Sequence, residues 1–234
     1  MNRPYLLEKQ ENEKMLIREI KLKKTVLTAL PPRCTFEHSW RCNYRCKKCG
    51  YSSLSRGNDF SAAEMPEWEW ADIERLAQEL FPTMRYVEST LLGEPFLSTQ
   101  FHALMNTLRK YGVYYRPTTN GSLLTSDVCE SINGVVDWLK CSFDAHTAPL
   151  YEKLYLNSNF NRVISNLKQF SLARSRMTPY PWFRVGLVLM RSNLESLRDY
   201  ADFVFQELGV DDMELMALNY ANPEMSDEFY WDIP

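Results

Sequence analysis

Three cysteines fall within eight residues, Cys42-Asn43-Tyr44-Arg45-Cys46-Lys47-Lys48-Cys49, in the spacing C-x3-C-x2-C. They follow directly on an alternating run, residues 35–40, that reads as a strand, so the fold must carry a sulfur-rich loop at a strand end. A loop that short can wrap one compact inorganic object, and thiolates are the soft ligands that iron in sulfide clusters prefers. In a cubane [4Fe-4S] cluster, three cysteines hold three irons and leave the fourth open, as a catalytic metal keeps a free position. The competing reading is zinc, with Cys34 or His38 as a fourth ligand. Structural zinc usually presents two separated ligand pairs, and no second pair follows here. Cys34, Cys129 and Cys141 stand alone and read as small buried hydrophobes.

The remainder alternates. Residues 5–28 have helical spacing, with Leu6, Leu7, Met15, Leu16, Ile20, Val26 and Leu27 between charges, and predict an amphipathic helix or helix pair packed on the body by that stripe. Strands are expected at 35–40, 85–92, 113–119, 135–143, 182–190 and 212–218. Helices are expected from Pro66 onward through Trp70, Ile73, Leu76, Ala77 and Leu80, and at 101–111 with Gly112 as cap. Further helices fall at 126–132, 151–156, 162–172 and 194–208. Residues 52–66 are polar and irregular. Six strands alternating with helices argue for an α/β fold of parallel strands joined by right-handed crossovers, either an open doubly wound sheet or a partial barrel.

At 234 residues and 45% hydrophobic content, one large core is the default. A net charge of −3 leaves no electrostatic footprint for nucleic acid. No apolar run reaches membrane-span length, and the charged N-terminus does not read as a secretory signal. Six cysteines, three of them clustered, suit a reducing cytoplasm.

Each distinctive polar cluster stands just past a predicted strand: the cysteine loop after the first, Gly93-Glu94-Pro95 after the second, Asn120-Gly121 after the third, and Ser142 with Asp144 at the end of the fourth. In parallel α/β folds that face carries the ligand site, so four loops remote in sequence converge on one mouth.

With these residues in view, the chain resembles the radical S-adenosylmethionine (radical SAM) superfamily, whose signature is C-x3-C-x2-C after the first barrel strand. The resemblance runs from about residue 35 to 218 and implies a partial (β/α)6 barrel of six parallel strands. It divides the chain into an N-terminal helical extension (1–32), the core barrel (33–219) and a short acidic-aromatic tail (220–234). It implies a [4Fe-4S] cluster on Cys42, Cys46 and Cys49, its open iron chelated by S-adenosyl-L-methionine (SAM). Reductive cleavage of SAM then gives methionine and a 5'-deoxyadenosyl radical that abstracts a substrate hydrogen.

Gly93-Glu94-Pro95 resembles the superfamily's GGEP element, with Leu92 in place of the first glycine, and implies that Glu94 binds the SAM amino group. Asn120 lies in a stretch resembling TNG, and Ser142 and Asp144 resemble SxD, which contacts SAM. Asn193 falls where the superfamily often has a polar residue near SAM, and reads equally well as a helix N-cap. Lys48 stands where many relatives place an aromatic or a methionine against the adenine. His146 lies near the mouth as a weak acid–base candidate, His102 reads as structural, and Trp68, Trp70, Tyr114, Tyr115, Trp182 and Tyr200 read as core.

The wording is similar to the SPASM or twitch branch, but no cysteine follows Cys141, so no auxiliary cluster can be built from this chain. Either it is a bare core that borrows a partner at its C-terminal end, where Phe229-Tyr230-Trp231 would anchor, or the sequence is shortened. The implied partners are a peptide or small biosynthetic substrate and an electron donor such as flavodoxin or ferredoxin. The alternative function is a non-catalytic, cluster- or zinc-stabilised subunit that binds SAM or a partner.

Overall fold

In the computed structural model, which describes residues 3–50, 66–218 and 223–229, the first helix, α1 (Leu6–Lys21), inverts the expected polarity. Its buried residues are Lys9, Asn12 and Glu19, whereas Leu7, Ile17 and Ile20 are 72%, 54% and 60% exposed. Lys9 Nζ donates to Phe81 O and Tyr111 O at 2.8 and 2.9 Å, two carbonyls at helix C-terminal ends. Asn12 bonds both the N–H and the C=O of Leu30, Glu19 accepts from Thr28 N and Ala29 N, and Glu13 takes a two-pronged bond from Arg85. Main-chain groups that have lost water demand partners more strongly than scattered aliphatics demand cover. The expectation of an apolar stripe on the body is therefore corrected.

Strand β1 (Arg33–Thr35) is shorter than predicted. Phe36 N still donates to Glu88 O, but Trp40 N then turns to Pro66 O and Trp68 N to His38 O, with Ser39 bridged to Glu67. The run 38–40 thus leaves the sheet to pair with residues 66–68. The same pairing delays the next helix, α2 (Trp70–Leu80), beyond Pro66. A two-residue strand, β2 (Arg45–Cys46), lies inside the cysteine loop. The polar connection at 52–66 lies, apart from Pro66, outside the described residues.

The core units then follow in alternation: β3 (Tyr86–Ser89), α3 (Phe101–Tyr111), β4 (Tyr114–Thr119), α4 (Ser126–Ile132) and β5 (Trp138–Ser142). Helix α3 shows why the pattern works. Phe101, Leu104, Met105, Leu108 and Tyr111 recur at helical spacing and are buried, and Gly112 closes the last turn on Leu108 O and Arg109 O. Helix α5 (Ala148–Leu154) stops early. Its last predicted residues form β6 (Tyr155–Leu156), antiparallel to β2.

After α6 (Phe160–Arg174) comes β7 (Trp182–Leu189), paired on one side with β5. The single helix expected at 194–208 is instead α7 (Arg191–Leu194), then α8 (Leu197–Asp202) running into a π-helix, Phe203–Glu207. Ser196 Oγ takes the carbonyl of Asn193 and the ladder breaks there. Strand β8 (Asp212–Ala217) ends the sheet.

The six-stranded sheet has the order β1-β3-β4-β5-β7-β8, every pair parallel. Among the described residues no pairing joins β8 to β1, so the barrel is open. One face, with Val87, Tyr115, Leu139, Cys141, Phe183 and Val185 fully buried, packs in one core with the helices. The other alternation set is polar and cross-linked, Arg116 to Asp137, Lys140 to Glu214 and Arg184 to Asp212. Its members at the carboxyl ends are Thr118, Ser142 and Val188. Trp68 and Trp182 are 42% and 45% exposed, which corrects their reading as core; Tyr115 and Tyr200 are buried. No helix among the described residues is long and apolar enough to cross a membrane.

Candidate functional site

The carboxyl ends of the strands surround a cavity of about 280 Å³, whose wall includes Cys42, Cys46, Cys49, Gly93, Glu94, Thr118, Thr119, Asn120, Ser142 and Val188. The cysteine loop is held from three sides. Glu94 N donates to Arg41 O at 2.7 Å, which docks the Gly93-Glu94 turn on the residues entering the loop. Asn120 Nδ2 donates to Asn43 Oδ1 at 2.9 Å, and Asn43 Nδ2 to Ser122 Oγ at 2.8 Å. On the third side Cys46 pairs with Tyr155, Lys47 N donates to Leu154 O, and Lys48 forms an ion pair with Asp144. Within the loop, Cys49 N closes a turn on Cys46 O.

Glu94 is the most unusual charge here. Its carboxylate is 1% exposed and accepts from Thr119 Oγ1 and from Asn120 N, both at 2.7 Å. Burial pushes its pKa up to about 7 from an ordinary 4.5, against these hydrogen bonds. Asn166 on α6 fixes the same turn by donating to Gly121 O and Ser122 O. The neighbouring Gly93 has φ +75°, and a Cβ there would meet Ser39 O at 2.6 Å and Trp40 C at 3.0 Å. Both are backbone atoms of the segment that leads into the cysteine loop. Gly93→Ala is expected to cost about 1–3 kcal/mol from backbone strain alone, read as a lowered urea midpoint with an unchanged m-value.

Of the residues singled out in sequence, the three cysteines, Gly93, Glu94, Asn120 and Ser142 line the cavity. Pro95, Asp144 and Asn193 stand behind that wall, all of them buried. Asn193 is no N-cap: it sits at the third position of α7, accepts from Met190 N, and donates to Asp144 O and Val188 O. Asp144 accepts from Val188 N and Tyr155 OH, both at 2.8 Å.

His146 lies against the rings of Tyr200 and Phe203, and His102 is exposed beside Ser131 Oγ. Phe229, expected to anchor a partner, is 2% exposed and its carbonyl takes Arg191 Nε at 2.6 Å, while residues 230 and 231 lie outside the described residues. The sequence reading did not single out Asn43, Thr119 and Tyr155. Asn43 and Thr119 do stand inside quoted motifs, the cysteine loop and the stretch resembling TNG, but were given no role of their own. For Tyr155 there was no signal, because its strand forms only by pairing with β2.

The donor set fits a sulfide cluster. Three soft thiol ligands share one cavity. Burial raises the Cys42 thiol to about 12 and pushes Cys46 higher still, so the charge of a bound metal is what would hold both as thiolates. Among the described residues, no three His, Cys, Asp or Glu side chains are gathered closely enough for a single metal ion. A cluster, with one thiolate on each of several irons, needs a wider spacing than one ion does. The zinc alternative is not favoured: His38 is fully buried beside Phe36 and Tyr115, and Cys34 faces Met84.

No family model matches the chain. It is similar to the S-adenosylmethionine-dependent nucleotide dehydratase of Thermoplasmatales archaeon (strain ISO4-H5), 30% identical over 107 residues, 45% of this chain and 35% of that protein. It is also similar to the tungsten-containing aldehyde ferredoxin oxidoreductase cofactor-modifying protein of Pyrococcus furiosus, 24% identical over 196 residues, 82% of this chain and 53% of that one. The chain thus spans about a third to a half of the curated relatives it matches.

Among solved structures, Streptococcus suis SuiB bound to S-adenosylmethionine superposes with a TM-score of 0.68 at 18% identity, over 95% of this chain and 48% of SuiB. For anSMEcpe with bound AdoMet the TM-score is 0.63 at 16% identity, over 80% of this chain and 52% of that one. For TYW1 with a lysine-pyruvate adduct it is 0.54 at 16% identity, over 80% and 65%. The open six-stranded barrel with its cysteine-lined mouth therefore has the fold of the radical SAM enzymes.

Proposed function

We propose that this chain is the core of a radical SAM enzyme acting on a peptide. Cys42, Cys46 and Cys49 hold a [4Fe-4S] cluster in this reading, and Gly93, Glu94, Asn120 and Ser142 face SAM. When bound, the cluster supplies one electron that splits SAM into methionine and a 5'-deoxyadenosyl radical, which takes a hydrogen atom from the substrate. Glu94 offers a buried carboxylate to the SAM amino group, and Thr119 and Asn120 keep it aimed. Pro95, Asp144 and Asn193 hold the wall from behind.

The observation that carries the reading is the direct bonding of the cysteine loop to three other loops around one cavity. Peptide as the substrate class draws on SuiB bound to precursor peptide SuiA and on anSMEcpe with a Cp18Cys peptide. An external donor such as flavodoxin or ferredoxin would deliver the electron. Anaerobic reconstitution with iron and sulfide, then dithionite and SAM, is expected to yield 5'-deoxyadenosine. A yield no higher than that of Cys42→Ala would remove the proposal.

A further inference from the structure

Lys48 is a charged residue in the floor of the cavity, and its charge does not point to solvent. Its side chain is 14% exposed and pairs with Asp144, which is fully buried. Lys48 Nζ also donates to Tyr155 OH at 3.2 Å, and Tyr155 OH donates in turn to Asp144 Oδ2 at 2.8 Å. The other carboxylate oxygen of Asp144 takes the amide of Val188. Tyr155 stacks on Tyr151 with centroids 4.6 Å apart, and its main chain pairs with Cys46. One closed set of contacts therefore ties the residues between Cys46 and Cys49 to β6 and to the ends of β5 and β7.

The two charges cancel at long range, and Lys48 lines the same cavity as Cys46 and Cys49. A low local dielectric makes either charge, left alone, far stronger than it would be in water.

Resting on the function proposed above, we propose that Lys48 and Asp144 form a charge-compensated latch on the cysteine loop. The latch fixes the Cys46–Cys49 turn before any cluster arrives. It also leaves the cluster's reduction potential nearly free of either charge, since local net charge is one of the terms that sets that potential. Lys48 and Asp144 are positioning residues in this scheme.

Two measurements test it. In the cluster-free protein, amide hydrogen exchange of Lys47 and Cys49 is expected to quicken at least tenfold in Lys48→Met, with β3 and β4 amides unchanged as a control for folding. Unaltered exchange at Lys47 and Cys49 overturns the latch. In reconstituted protein, spectroelectrochemical titration is expected to give a more negative potential for Lys48→Met, which strands a carboxylate near the cluster. Asp144→Asn, which strands an ammonium, shifts it the opposite way, and both the double variant and Lys48→Arg return it to the wild-type value. Shifts of one sign, or none, overturn the electrostatic part. If Asp144→Asn does not fold, Lys48→Met and Lys48→Arg decide alone. Wild-type protein that takes up no cluster defeats the functional reading itself. Wild-type protein that takes one up, with variants that do not shift, defeats only this inference.

Discussion

Glu94→Gln is expected to weaken SAM binding roughly ten- to a hundredfold while stabilising the SAM-free protein at pH 8. In the proposed function the first effect is the loss of a charge-assisted hydrogen bond from the SAM ammonium group to Glu94, about 1.5–3 kcal/mol. The second follows from burial. Glu94 has its pKa pushed up to about 7 in the fold. Below pH 4.5 the carboxyl is protonated in folded and unfolded chains alike and costs nothing. As pH rises through 7 the unfolded chain has released the proton, whereas the folded chain must ionise a group that water does not reach. The penalty grows across that window and is complete above it. At about 1.4 kcal/mol per tenfold change, it reaches about 3 kcal/mol.

Glutamine escapes this penalty. Its amide oxygen can still accept from Asn120 N and its NH2 can turn to Thr119 Oγ1, the two partners Glu94 has now. Urea midpoints of both proteins between pH 5 and pH 8.5 should diverge with rising pH, the variant being the more stable. Curves that run parallel would show that Glu94 carries no such burden. SAM affinity of the wild type is expected to fall as pH drops below about 7, and that of the variant to stay flat.

Arg174→Leu is expected to destabilise the fold by about 3–5 kcal/mol, the range for breaking a buried ion pair from one side. Arg174 is 4% exposed at the end of α6. Its guanidinium donates to Pro181 O at 3.1 Å and Gly209 O at 2.6 Å, and forms a two-pronged pair with Asp211. Asp211 in turn accepts from Phe183 N at 2.7 Å. The one side chain thus ties α6 to the starts of β7 and β8, the last pair of the open sheet. Leucine would fill the space but strand Asp211 and two carbonyls. Lysine, a single point charge, cannot span the fork and is expected to recover less than half of the loss. A change below about 1 kcal/mol in Arg174→Leu, from urea unfolding, would place the anchoring of β7 and β8 elsewhere.

Arg174 also shows where the sequence reading stopped short. Residue 172 is the expected end of its helix, and a cation near a helix end ordinarily looks solvated. Lys9, Asn12 and Glu19 repeat the point at α1, where the polar residues face inward and Ile20 faces out. Polar side chains that satisfy backbone groups of other elements carry no periodic signature, because their partners lie outside the helix, from 9 residues away for Glu19 to 102 for Lys9. Strand β6 is hidden for the same reason. Helical spacing continues through Tyr155 and Leu156, and only the ladder to Arg45 and Cys46 pulls them out of α5.

What the residue order fixes without help is local in origin: the alternation of strands and helices, and the cap at Gly112. The placing of each polar motif just past a strand is of the same kind. These rest on side-chain periodicity and backbone freedom, which a residue carries wherever it sits. Only the folded chain decides that Glu94 is buried, that Asn43 meets Asn120, and that Asp144 stands behind the cavity wall bound to Lys48 rather than on it. Charge, burial and hydrogen bonding are properties of neighbours, and neighbours from different strands meet only when the sheet has formed.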